Sequence, residues 1–371
     1  AVAGDDEAQF YLGYMMDRGE GVGKNPAGAV SWYRKAAEQN YLPALAYMGY
    51  IYSSGHGVTK NDDEAFKWYS KAAQMGDAAA QNNLGSMLRS GRGAKKNNAL
   101  AAQWYLQSAQ QGNVRGQYNL ATLYRLGQGV KINYGEAIRW YQAAVAQGDV
   151  YAQYALATMY RQGHGVEKNP VEALELYAQA AEKGHALSQL AVAEMYEAGE
   201  GDGTKGAPDA AIWYARAAKQ GIAEAQHQLG TYYNTGTGLP QDFTKAAEWY
   251  KKAAEGKHFA PSIIALGHLY ELGTGVAKDP SKARNLYESC ARTGDAHCQI
   301  ELGRVCRQGI GAPADLTAAY QWYALAAAVL PDGDEKAGAV VARIEIANAL
   351  SEDQLAEARR RVSDWAPMKA R

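Results

Sequence analysis

The sequence predicts an all-α solenoid of nine helix–turn–helix repeats, each about 36 residues long, followed by a pair of C-terminal capping helices. Three markers predict it. A Trp-Tyr dipeptide, or Leu-Tyr in its place, recurs from Trp32-Tyr33 to Trp322-Tyr323 at steps of 36 or 37 residues. Gly-x-Gly keeps the same step from Gly19/Gly21 to Gly309/Gly311, and Leu-Gly or Leu-Ala stands seven residues before the first glycine, as in Leu84-Gly85 and Leu156-Ala157. Markers that stay in phase along a chain are the signature of stacked repeats, because one amphipathic hairpin cannot bury its apolar stripe alone.

One unit, 149–184, shows how each element follows. Asp149 has the side chain of an N-cap. Ala152, Leu156 and Tyr160 then fall four apart, on one face of a first helix. Ala157 stands where other repeats carry glycine, the small residue a crossing helix requires. Gly163 ends the helix in the left-handed conformation, and Gly165 keeps the loop tight. Pro170 suits the first turn of a second helix whose inner face is Ala173, Tyr177 and Ala180, and Gly184 closes it. Two single-residue insertions fall in the 201–208 loop and at the turn near 257–261. The repeats occupy 1–330. In 331–371 a helix is expected from Asp334 to Ala349, and Ser351 to Gln354 is a capping box opening a final charged helix with Leu355, Ala358, Val362 and Trp365.

Composition excludes several functions. A net charge of −1 supplies no basic excess for phosphate backbones, so no nucleic-acid partner is expected. The longest apolar run, Tyr323 to Leu330, is too short to span a bilayer, and no direct membrane insertion is expected. Tyr 26 and Trp 8 against Phe 4 point to rings that keep one edge near water or a polar partner. No secretory signal is present, and a chain opening at Ala1 on helix-like sequence reads as a mature or trimmed form.

The composite pattern A-x-x-x-L-G-x-x-Y-x-x-G-x-G-V followed by A-x-x-W-Y-x-x-A-A-x-x-G resembles the Sel-one-like repeat (SLR), a relative of the tetratricopeptide repeat, from residue 5 to about 330. The resemblance implies a right-handed α-superhelix that serves as an adaptor, of a kind common in bacterial envelope proteins, host-interaction factors and signalling regulators.

Cys290 ends the second helix of repeat eight, and Cys298 lies near the start of the next helix. Antiparallel helices joined by a short turn could bring the pair together, and the spacing is similar to that of the secreted cysteine-rich SLR proteins, where such a pair is a disulfide in every repeat. Equally, the two are small residues at positions where most repeats place alanine. A disulfide implies the periplasm or the outside of the cell. Cys306 takes a position held by tyrosine in six other repeats and is expected in the core.

Catalytic patterns are missing, so no enzyme, cofactor or metal is expected. The seven histidines form no His-x-x-x-His or Glu-x-x-His set, and no Cys-x-x-Cys occurs. The Gly-x-Gly loops follow no strand, which leaves the helix-stop reading. Ser70-Lys71 and Ser281-Lys282 are adjacent pairs, not Ser-x-x-Lys. The expected function is therefore a bacterial scaffold that binds a partner protein or peptide in the envelope, outside the cell or in host interaction. The alternatives are a penicillin-binding or β-lactamase-like enzyme of the cysteine-rich type, and an inhibitor of a sensor or cell-wall enzyme.

In tetratricopeptide-type solenoids the first helix of each repeat lines the concave face. Three positions there project outward: two before the Leu, two after it and five after it. The last reads Arg89, Arg125 and Arg161 in repeats three to five, a row of arginines. Tyr118 and Tyr154 stand two before the Leu beside that row, and Tyr14 and Tyr50 two after it nearer the N-terminus. Arg with Tyr is the composition of binding hot spots, and the guanidinium fork suits a carboxylate, so the expected ligand segment is acidic. The competing explanation is that arginine at a helix C-terminus complements the helix dipole. Repeats six to eight turn acidic at Glu194, Glu197 and Glu271.

Overall fold

The computed structural model describes residues 4–201 and 203–367, with the backbone alone at Lys257. The described residues form twenty α-helices and no strand. The first five hairpins are α1 (Asp6–Arg18) with α2 (Pro26–Glu38), α3 (Leu42–Ser54) with α4 (Asp62–Gln74), α5 (Ala78–Ser90) with α6 (Asn98–Gln110), α7 (Val114–Leu126) with α8 (Tyr134–Ala146), and α9 (Val150–Gln162) with α10 (Pro170–Glu182). They make up one compact unit, Ala1–Lys183. The second unit, Gly184–Arg371, holds α11 (Ala186–Glu197) with α12 (Ala207–Lys219), α13 (Ala223–Thr235) with α14 (Phe243–Lys257), α15 (Ala260–Leu272) with α16 (Pro280–Ala291), and α17 (Ala296–Gln308) with α18 (Leu316–Val329). It ends in α19 (Asp334–Ala349) and α20 (Glu352–Ser363).

Local chemistry sets the ends of these helices. Asp149 caps α9 by accepting from Ala152 N at 2.7 Å, and Asn169 caps α10 from Glu172 N at 3.2 Å. Such a cap contributes about 1 kcal/mol, and Asn or Asp supplies it to nearly every second helix. Gly163 closes α9 at φ 75°, and the Asn169 N–H donates back to Tyr160 O at 2.9 Å, folding the loop onto the helix it leaves.

The second glycine of most pairs does more than tighten the loop. A Cβ on Gly93 would lie 2.2 Å from Asp62 O, one on Gly129 2.3 Å from the Asn98 carbonyl carbon, and one on Gly275 2.3 Å from that of Phe243. Each loop is thus seated on the start of the preceding repeat's second helix. The insertion near 257 lengthens a helix rather than a turn: α14 has 15 residues against the usual 13, and ends on His258 at φ 47°.

At the end of the second unit α18 packs against both α19 and α20. Arg307 pairs with Glu345 at 3.0 Å and His297 with Glu335 at 3.1 Å, tying α17 to α19. Ser351 and Gln354 form the reciprocal capping box. One boundary differs from the sequence expectation. The last helix stops at Ser363, so Trp365 follows it, although its ring still packs against the same core.

Candidate interaction surface

In each repeat the first helix receives a tyrosine from the second. The ring of Tyr105 lies under Gly85, where a Cβ would come within 2.8 Å of it, and Tyr250 and Tyr287 lie likewise under Gly230 and Gly267. Without that close approach the ring could not pass, which is why the Leu is followed by glycine or alanine. The tyrosine hydroxyl then emerges among the outer positions of the first helix. Tyr105 OH meets Ser86 Oγ at 3.0 Å, Tyr141 OH meets Thr122 Oγ1 at 3.0 Å, and Tyr250 OH donates to Thr231 Oγ1 at 3.1 Å. Many of the outer positions are half-buried, and several of them satisfy a hydroxyl rising from below.

Successive first helices lie side by side within the first unit. Asn119 Nδ2 donates to Asn82 Oδ1 at 2.8 Å between α7 and α5, and the rings of Tyr118 and Tyr151 stand 6.3 Å apart between α7 and α9. Arg89, Arg125 and Arg161 end α5, α7 and α9, each half-buried. Arg125 Nε donates to Tyr141 OH at 3.3 Å. Tyr118 is half-buried 5.9 Å from the ring of Tyr141, and Tyr154 lies 5.4 Å from that of Tyr177. Towards the N-terminus Tyr14 carries the Arg18 guanidinium 4.6 Å above its ring, and Tyr50 is 47% exposed. Between these two, Asp17 is buried, accepting from Tyr47 OH at 2.9 Å and facing His56 Nε2 at 2.6 Å. Burial and the bond to Asp17 push the Tyr47 hydroxyl up to about 12.

Two repeats of the second unit, the sixth and the eighth, place an acid at the arginine position. Glu197 accepts from Tyr214 OH at 2.6 Å and Tyr232 OH at 2.9 Å. Glu271 accepts from Tyr287 OH at 2.6 Å and takes the Arg304 guanidinium at 2.5 and 3.1 Å. Arg304 Nε also reaches Glu301 at 2.8 Å, and His268 stands 3.2 Å from Glu301. His268, Glu271 and Glu301 converge closely enough to hold a cation, and the guanidinium of Arg304 bonds two of them. Each of these carboxylates therefore serves packing and surface charge together.

Sequence reasoning missed one polar element. Gln81, Gln117, Gln153, Gln226 and Gln299 are buried three residues before the repeat's Leu. Gln81 Nε2 donates to Ala73 O at 3.1 Å and Gln226 Nε2 to Ala218 O at 3.1 Å, each satisfying a carbonyl at the end of the preceding helix. Gln111 joins Gln81 at 2.8 Å and Gln147 joins Gln117 at 2.9 Å, linking one turn to the next. The signal was available, since these glutamines recur in step with the leucines.

A disulfide joins Cys290 to Cys298, with Cα atoms 5.7 Å apart. The same two positions face one another at an earlier junction, where a Cβ on Gly116 would come within 2.5 Å of Ser108 Oγ. Counting thiols on the unfolded, unreduced chain is expected to find Cys306 alone; three would mean the pair is open. Cys290→Ala with Cys298→Ala is expected to lower stability by about 2–3 kcal/mol, the loop-closure contribution, because alanine already fills the Cys290 position elsewhere. Cys306 is buried, and burial pushes its thiol up to about 11.

Among the described residues no helix is long and apolar enough to cross a membrane. The sequence matches the Sel1 repeat nine times in succession, from 6–41 to 296–328. No curated protein matches it. Among solved structures, a protective antigen of uropathogenic Escherichia coli strains displaying an SLR fold is 33% identical, with a TM-score of 0.80 over 98% of this chain and 76% of that one. A Sel1 repeat protein from Oxalobacter formigenes is 30% identical, with a TM-score of 0.67 over 81% of this chain and 88% of the other. Sel1 repeat proteins are in general protein–protein interaction scaffolds. On nine consecutive repeats and these two relatives, the chain belongs to the Sel1 repeat family.

Proposed function

We propose that the chain is a non-catalytic scaffold of the bacterial envelope or exterior that captures an acidic segment of a partner protein on the first-helix face of its first unit. The observation that carries this reading is the run Arg89, Arg125, Arg161 on neighbouring first helices, with Tyr118 and Tyr154 in the same stretch. Arg125, half-buried and donating to Tyr141 OH, is held in place before binding, which lowers the entropy lost on association. The Cys290–Cys298 disulfide supports an oxidising compartment.

Arg89→Glu, Arg125→Glu and Arg161→Glu together test it against a fluorescent glutamate-rich peptide. Glutamate suits this position in the fold, since Glu197 and Glu271 occupy it and accept the tyrosine hydroxyl. Each exposed charge pair is worth about 0.2–1 kcal/mol, so reversing three is expected to weaken binding about tenfold or more with the helical spectrum and melting unchanged. Unaltered affinity would remove the reading.

A further inference from the structure

The second unit carries a cleft of different chemistry. Two adjoining cavities of ≈ 570 and ≈ 480 Å³ share Ile264 and His297. Their floor is apolar, formed by Ala260, Ile264, Ile300, Ala339 and Ala342. The rim is not. Asp295, Glu301 and Glu335 stand on it with His227, His268 and His297, and no lysine or arginine lines either cavity. The neighbouring cation, Arg304, is held by Glu271 and Glu301. Glu335 remains well exposed on α19, so one wall comes from the helix that follows the last matched repeat.

We propose that this cleft binds a partner segment in which apolar side chains flank a lysine or arginine. The apolar groups would cover Ile264 and Ile300, and the cation would lie against Glu335 and Asp295. Apolar burial supplies affinity in such a site, while the surplus of carboxylates selects the sign of the ligand's charge. The inference rests on the scaffold reading, but it concerns the other unit and the opposite charge, so each can fail alone.

The test uses short fluorescein-labelled peptides of alternating leucine and lysine, leucine and glutamate, or serine and lysine, titrated into the full chain. Only the leucine–lysine peptide is expected to shift the methyl signals of Ile264 and Ile300, leaving exposed Ile212 on α12 unmoved, whereas a leucine–glutamate peptide taken up by the arginines of the first unit leaves all three still. Glu335→Lys, a surface change, is expected to weaken binding about fivefold or more. Ile264→Ala is expected to weaken it as well, and the triple arginine variant of the first unit to leave it unchanged. Equal shifts of the Ile264 and Ile300 signals by the leucine–glutamate peptide, still signals with the leucine–lysine peptide, or indifference to both Glu335→Lys and Ile264→Ala would overturn the proposal.

Discussion

Gly93→Val is expected to cost the first unit about 3–5 kcal/mol, among the largest effects of any single change in that unit. Two penalties add. At φ +66° a side chain costs about 1–2 kcal/mol in backbone strain, and a β-branched one is less tolerant still. The Cβ would also fall 2.2 Å from Asp62 O and 2.9 Å from Phe66 Cβ, where neither a helix start nor a packed side chain can yield. Gly112→Ala separates the two terms, because Gly112 has φ +81° with nothing within 4 Å and should lose only the backbone share, about 1 kcal/mol. Urea unfolding followed by circular dichroism gives the totals. Hydrogen exchange should place the Gly93→Val damage at the start of α4 and in the α5–α6 loop seated on it, since each repeat depends on its neighbours. Equal losses for the two variants would mean that the inter-repeat contact contributes nothing.

Glu271→Ala is expected to destabilise the second unit by about 3 kcal/mol. It leaves the Arg304 guanidinium without one of its two carboxylates and Tyr287 OH without its acceptor, and an orphaned partly buried charge is costlier than the lost attraction. Glu271→Gln keeps an acceptor for the hydroxyl and should lose about half as much. Acid should reveal the neighbouring carboxylate. Burial tends to raise the Glu301 carboxyl, but bonds from His268 and Arg304 outweigh it and hold Glu301 below its ordinary value of 4.5. A carboxylate more acidic folded than unfolded stabilises above its unfolded value and loses that contribution as pH falls through the lower, folded one. Stability of the second unit should therefore fall below about pH 4.5, and less steeply in Arg304→Met; identical acid profiles would exclude the network as the cause.

Much of the architecture was legible because it is local. Asp149, Gly163, Pro170 and Ser351 act on backbone groups within a few residues, and each does so in the structure as its chemistry requires. The surface was legible only in part. Arg89 and Arg125 end first helices as the period places them, yet the pattern gave no sign that Arg125 meets the hydroxyl of Tyr141. Cys290 and Cys298 were open to two readings, since alanine-sized positions and paired cysteines share one spacing. The buried glutamines went unread, although their phase was visible, because a polar residue on an otherwise apolar stripe acquires its meaning from the carbonyl it meets.

By itself, the sequence determined the repeat, its period and the residues that start and stop each helix, since caps, left-handed glycines and apolar spacing act within one turn. Tertiary structure alone decided the rest. Glu271 meets Arg304 across 33 residues, Gly93 rests on Asp62, and Ile264 shares a cleft with Glu335 on α19. Such partners lie in different repeats, and their meeting depends on how one hairpin is seated on the next, a relation no local pattern encodes.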